Sequence, residues 1–98
     1  MTRVVWTEPA LEDVHEIRAH IARDSLRYSQ VIAERIVGAV ERLHDHPFSG
    51  RVVPEIGQQT LREVIEPPYR IVYRVRFDLV EIVAVVHSAR QFPSGELR

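Results

Sequence analysis

The sequence predicts an α+β fold in which a helical hairpin packs on one face of a small, mainly antiparallel sheet. Three observations predict it. Between about residues 7 and 44 apolar side chains recur at spacings of three and four. From Arg51 onward the spacing falls to two. A short stretch at residues 2–6, strand-like in composition, precedes both.

In that first stretch Val4 and Trp6 share one face, and Arg3 and Val5 the other. Thr7 is placed as a helix N-cap, and Pro9 falls in the first turn, where its missing N–H does no harm. Leu11, Val14, Ile17 and Ile21 then form one apolar stripe, with Glu12, Asp13, Glu16 and Arg23 on the other faces. Asp24-Ser25 interrupts the pattern. A second helix is expected from about Arg27 to His44, its apolar positions being Tyr28, Val31, Ile32, Ile36, Val37, Ala39, Val40 and Leu43. So short a joint makes the two helices an αα-hairpin, and Pro47-Phe48-Ser49-Gly50 ends it.

Leu61 to Glu66, Arg70 to Phe77 and Leu79 to His87 read as three further strands. Gly57 and Pro67-Pro68 mark breaks, and Phe77-Asp78 marks a tight hairpin. In the middle strand Ile71, Tyr73, Val75 and Phe77 face one way, and Arg70, Val72, Arg74 and Arg76 the other. In the last strand Val80, Ile82, Ala84 and Val86 form an unbroken apolar face. One sheet face is therefore expected on the helices, and the other is expected to carry arginines toward solvent.

A chain of 98 residues fits a single domain spanning 1–98. It has no cysteine, which excludes disulfides, thiolate metal sites and cysteine nucleophiles. The N-terminal segment lacks the apolar core of a signal peptide. The longest apolar run, Ile82 to Val86, is too short to span a bilayer, so a cytoplasmic protein is expected. Thirteen basic residues, all arginine, face fourteen acidic ones. A protein that grips nucleic acid through phosphates normally shows a basic excess, so strong direct nucleic-acid binding is not expected.

Arg51, Arg62, Glu63, Arg70, Arg74 and His87 contain the residue types of an acid–base site for cutting RNA, which needs a base, an acid and positive charge near the phosphorane. The competing reading is an exposed sheet face, with Arg62, Arg70, Arg74 and Arg76 paired to Glu63, Glu66 and Glu81. A third is a protein-docking patch, since arginine dominates many interfaces. His44-Asp45-His46 is a weak metal signal at a helix C-terminus, and His15 and His20 lie on different helical faces. No metal or cofactor is expected.

The segments Trp6 to Ala22, Pro47 to Glu55 (a Gly-Arg-x-x-Pro-Glu turn), Leu61 to Val64, Pro68 to Arg74 and Val86 to Arg90 occur in that order. Together they resemble the ParE branch of the RelE/ParE toxins of bacterial type II toxin–antitoxin systems. The resemblance implies a growth-inhibiting toxin that acts on DNA gyrase and is neutralised by a cognate ParD-like antitoxin. On that reading Arg51, Arg62, Glu63, Arg70, Arg74, His87 and Arg90 are the candidate target-binding residues, and no catalytic residue is expected. Ribosome-dependent mRNA cleavage of RelE type, and a decayed toxin that only binds its antitoxin, are the alternatives on this scaffold.

Overall fold

The structure is a computed structural model and describes residues 2–90. The elements run β1 (Arg3–Trp6), α1 (Glu8–Ala22), α2 (Leu26–Glu41), a 3-10 turn (Arg42–His44), β2 (Arg51–Val52), β3 (Leu61–Glu66), β4 (Tyr69–Val75) and β5 (Leu79–His87). Among the described residues the strands form one sheet in the order β1-β5-β4-β3-β2. β1 lies parallel to β5, and the other pairs are antiparallel. The α+β arrangement is the one expected, with one correction. Four strands follow the helices rather than three, because Arg51–Val52 adds a two-residue edge strand against Glu63 and Arg62.

Side-chain caps start both helices. Thr7 Oγ1 accepts from the Ala10 N–H at 3.4 Å and donates to the Ile82 carbonyl at 2.7 Å, so one hydroxyl starts α1 and ties it to the sheet. Ser25 Oγ accepts from the Tyr28 N–H, which starts α2 earlier than the sequence pattern predicts. Ile32, Ile36, Ala39, Val40 and Leu43 are buried against Ile71, Tyr73, Val75, Val80, Ile82 and Val85. Val4, Trp6, Val14, Ile17 and Ile21 close this main core. Leu11, Tyr28, Val37 and Phe77 depart from expectation by being exposed. Ala10 occupies the buried place on α1 that Leu11 was expected to fill.

The far face of the sheet also departs from expectation. A second apolar cluster of Val53, Leu61, Val72, Ala84 and Val86 lies there, with Ile56 and Val83 packed on it. Val53 and Ile56 come from the β2–β3 loop, which covers part of the face predicted to be solvated. The apolar face of β5 is not unbroken. Pairing of β4 with β5 steps from Val72↔Ala84 to Tyr73↔Ile82, which leaves Val83 as an inserted residue. Beyond this bulge the side-chain phase inverts. Val80 and Ile82 face the helices, whereas Ala84 and Val86 face the second cluster.

The edge of β5 beyond β1 is closed by a side chain. Asp13 Oδ2, on α1, accepts from the Val85 N–H at 3.0 Å. Burial raises the Asp13 pKa above 3.8; the Val85 N–H opposes this, Glu16 reinforces it and Arg90 opposes it. A carboxyl raised on folding keeps a proton that the unfolded chain has already lost. Its contribution to stability therefore falls as pH rises from about 4 through the raised folded value. Asp13→Asn keeps an acceptor for Val85 without the buried charge and should be at least as stable as wild type at pH 7. Asp13→Ala should lose about 1–3 kcal/mol by leaving the N–H unpaired. Urea titrations of both variants at pH 4 and pH 7 check the sign.

Candidate functional site

The Gly-Arg-x-x-Pro-Glu turn builds the site. Gly50 donates its N–H to Tyr73 Oη at 2.9 Å, and its carbonyl accepts from Arg62 Nη1 at 2.9 Å. Arg62 also donates to the Gln59 carbonyl and to Gln59 Oε1, and its guanidinium lies 4.9 Å from the centre of the Phe48 ring. With the turn fixed, Arg51 and Glu55 are presented to the far face of the sheet.

There a chain of alternating charges forms. Arg51 Nε donates to Glu63 Oε2 at 2.6 Å, and Arg70 Nε donates to Glu63 Oε1 at 2.7 Å. Arg70 Nη1 and Nη2 grip Glu55 in a fork at 2.7 and 2.8 Å, and Nη1 also donates to the Arg90 carbonyl at 2.7 Å. The Glu63 side chain is 0% exposed and that of Arg70 5%, whereas Arg51 remains 62% exposed. Hydrogen bonding to Glu55 holds the Arg70 guanidinium above its already high pKa, burial opposes this, and Glu63 adds to it. The expectation that Arg70 points to solvent is therefore wrong. A charged side chain can be buried here because its donors meet oxygen partners on several sides. A cleft of about 560 Å³ opens beside the chain, lined in part by Arg51, Pro54, Glu55, Ile65, Arg70 and Arg90.

The candidate residues separate into groups. Arg51, Glu63 and Arg70 are joined directly, and Arg62 braces the same turn through Gly50. Arg90 reaches the group through its carbonyl. His87 stands apart at the end of β5. Its ring meets Tyr69 edge-on, with centroids 6.1 Å apart, and its Nδ1 accepts from the Ala89 N–H at 3.1 Å. It is a strand-end histidine bonded to the backbone. Arg74 lies farther along β4, opposite Leu61 on one side and Glu81 on the other. Of the ion pairs expected among these residues, Arg70–Glu63 and Arg76–Glu81 form, and Glu63 is shared with Arg51 from outside that set. Among the described residues Glu66 makes no ion pair with the strand arginines.

Glu55 and Tyr73 join the site without having been expected there. Gly50 and Glu55 were visible within the quoted turn motif, where Glu55 sits four residues after Arg51. Tyr73 carries no signal beyond its apolar phase; burial raises its pKa, while the Gly50 N–H opposes the rise. Among the described residues no group of three or more His, Cys, Asp or Glu is placed to hold a metal, and no helix is long and apolar enough to cross a membrane.

A helical hairpin packs on one face of a five-stranded sheet and an arginine–glutamate chain lies on the other, which makes a small α+β domain. Residues 4–92 match the family described as ParE toxin of type II toxin-antitoxin system, parDE. The chain is 42% identical to Toxin RelE2 of Caulobacter vibrioides over 91 residues, covering 92% of this chain and 99% of that protein. Its fold is similar to a solved structure titled chromosomal ParDE TA system from P. aeruginosa, with a TM-score of 0.74 and 21% identity, covering 89% of this chain and 96% of that one. It is also similar to a YoeB/ParE toxin from Agrobacterium tumefaciens, with a TM-score of 0.57 and 22% identity, covering 87% and 96%. The protein belongs to the ParE toxin family of type II toxin–antitoxin systems.

Proposed function

We propose that this protein arrests growth by binding DNA gyrase in the cytoplasm, without cutting RNA, and that a cognate ParD-like antitoxin neutralises it. One observation carries the non-nucleolytic reading. Glu63, the carboxylate best placed in sequence to act as a base, is fully buried between two guanidinium groups. A general base must come within hydrogen-bond reach of the proton it removes, and RNA has no path to Glu63. Arg70 is likewise gripped on several sides and has little left to offer a phosphorane. The accessible candidates, Arg51, Arg62 and Arg90, suit protein contact. The 42% identical relative carries a RelE name, which keeps mRNA cleavage as the outcome to test against.

Purified protein should inhibit gyrase supercoiling and accumulate cleaved DNA, and induced cells should show DNA damage with intact transcripts. His87→Ala should leave toxicity largely unchanged, while Arg51→Ala and Arg62→Ala weaken gyrase binding. Both assays are run on one preparation. Codon-positioned mRNA cleavage on ribosomes, abolished by His87→Ala, would overturn the gyrase reading.

A further inference from the structure

The cleft beside the charge chain contains an arginine that is fixed along one edge and open along another. The Arg51 side chain is 62% exposed, yet its Nε–H is bonded at 2.6 Å to Glu63, whose side chain is 0% exposed. Arg70 holds the other oxygen of the same carboxylate, so the anchor is itself tied down. A guanidinium is planar, and holding its Nε edge sets the direction of its two Nη groups. Among the described residues those Nη groups make no hydrogen bond. Exposed arginines such as Arg18 and Arg35 also lack carboxylate partners, but no buried group aims them. Arg76 is bonded through Nε as well, but to the part-exposed Glu81, and it does not line the cleft.

The cleft, at about 560 Å³, falls within the range of ligand pockets. Its wall is mixed. Beside Arg51 lie Pro54 and Ile65, and Ile65 is 43% exposed although it shares the phase of the buried Leu61 and Glu63. Glu55 also lines the cleft, but Arg70 grips both of its oxygens. What remains to be met is the end-on fork of Arg51, next to aliphatic surface. Two parallel N–H donors fit the two oxygens of a carboxylate. A phosphate also fits such a fork, but a nucleic-acid strand needs cations along its track. Here it would meet Glu55, on a chain of net charge −1.

We propose that gyrase fills this cleft with an aspartate or glutamate side chain. Its carboxylate takes the Nη fork of Arg51, and its aliphatic neighbour rests on Ile65 and Pro54. The proposal rests on the gyrase reading above and adds to it where, and by what chemistry, the target is held. The buried Glu63–Arg70 pair then has a use beyond folding, since it holds Arg51 in the direction the carboxylate needs before the partner arrives. Such preorganisation lowers what binding must otherwise spend on ordering a long side chain.

The test measures binding of purified DNA gyrase to the full chain. Lysine keeps the charge but presents a single ammonium in place of the planar fork. Arg51→Lys should therefore weaken binding roughly tenfold, close to the effect of Arg51→Ala. Ile65→Glu sets a like charge where the acidic side chain would sit and should weaken binding further. Thermal melting of each variant alone confirms folding. If Arg51→Lys binds as wild type does, positive charge is all the cleft supplies, and the proposal fails while the gyrase reading stands. If Ile65→Glu binds as wild type does, gyrase touches another part of the surface, and the proposal fails in the same way. A labelled single-stranded oligonucleotide that binds wild type and is lost in Arg51→Lys would assign the cleft to nucleic acid instead. Failure of wild type to bind gyrase, with or without DNA present, would remove the gyrase reading and this assignment with it.

Discussion

Replacing Arg70 by alanine is expected to lower stability by about 3–5 kcal/mol, because it leaves Glu63 buried with a single, largely exposed cation. A domain this size holds on the order of 5–10 kcal/mol in total, so the variant should be substantially unfolded near 37 °C. Arg51→Ala should lose under about 1 kcal/mol, since Arg51 is exposed and Glu63 would keep Arg70. A matched double exchange, Glu63→Leu with Arg70→Met, removes both charges and should be far milder than Arg70→Ala alone. Urea midpoints for the three variants decide the matter. Equal losses for Arg51→Ala and Arg70→Ala would mean that the burial asymmetry described above does not govern the energetics.

Gly50→Ala should be comparably damaging, for a different reason. A Cβ at this position would stand 2.5 Å from the Glu63 carbonyl oxygen and 2.6 Å from Tyr73 Oη. The first contact is with sheet backbone, which cannot give way cheaply. The second is with the hydroxyl that holds the Gly50 N–H. Overpacking together with a lost buried hydrogen bond should amount to about 3 kcal/mol or more. Tyr73→Phe relieves only the second contact and leaves the N–H unpaired, for a loss of about 1–3 kcal/mol. The double variant should therefore lose less than the sum of the two. Strict additivity in a thermal-melt cycle would show that the two residues do not share one contact.

Where the physics was local, the sequence was legible. The bounds of β3 and β5 follow from their flanking breaks, and Thr7 announces α1 because an N-cap needs only its own hydroxyl and the next turn. The Val83 bulge was not legible, because Ile82 to Val86 is apolar in both phases and no alternation remains to mark a slip. β2 is two residues long and carries no period at all. The burial of Arg70 depends on Glu63 seven residues away and Glu55 fifteen away, meeting it from two different segments. A charge count over strands defaults to solvent for such a residue. Leu11 misled for a related reason, since a stripe drawn at spacings of three and four does not say which edge of it a small residue such as Ala10 will claim.

The β2–β3 loop has a kinetic consequence. Val53 plugs the second apolar cluster, while Arg51 and Glu55, two residues to either side, tie into the charge chain. This segment cannot lift without exposing greasy surface and unclasping ion pairs in one motion. Its amides should therefore exchange with solvent as a single cooperative unit. The Val53 N–H held by Leu61 and the Ile56 and Gly57 N–H groups held by Val53 would open together, ahead of the β4–β5 ladder. Hydrogen exchange followed amide by amide would show one shared opening free energy for these three. A protease added to the native protein would make its first cut between Val53 and Gln59, while the sheet behind it is still intact.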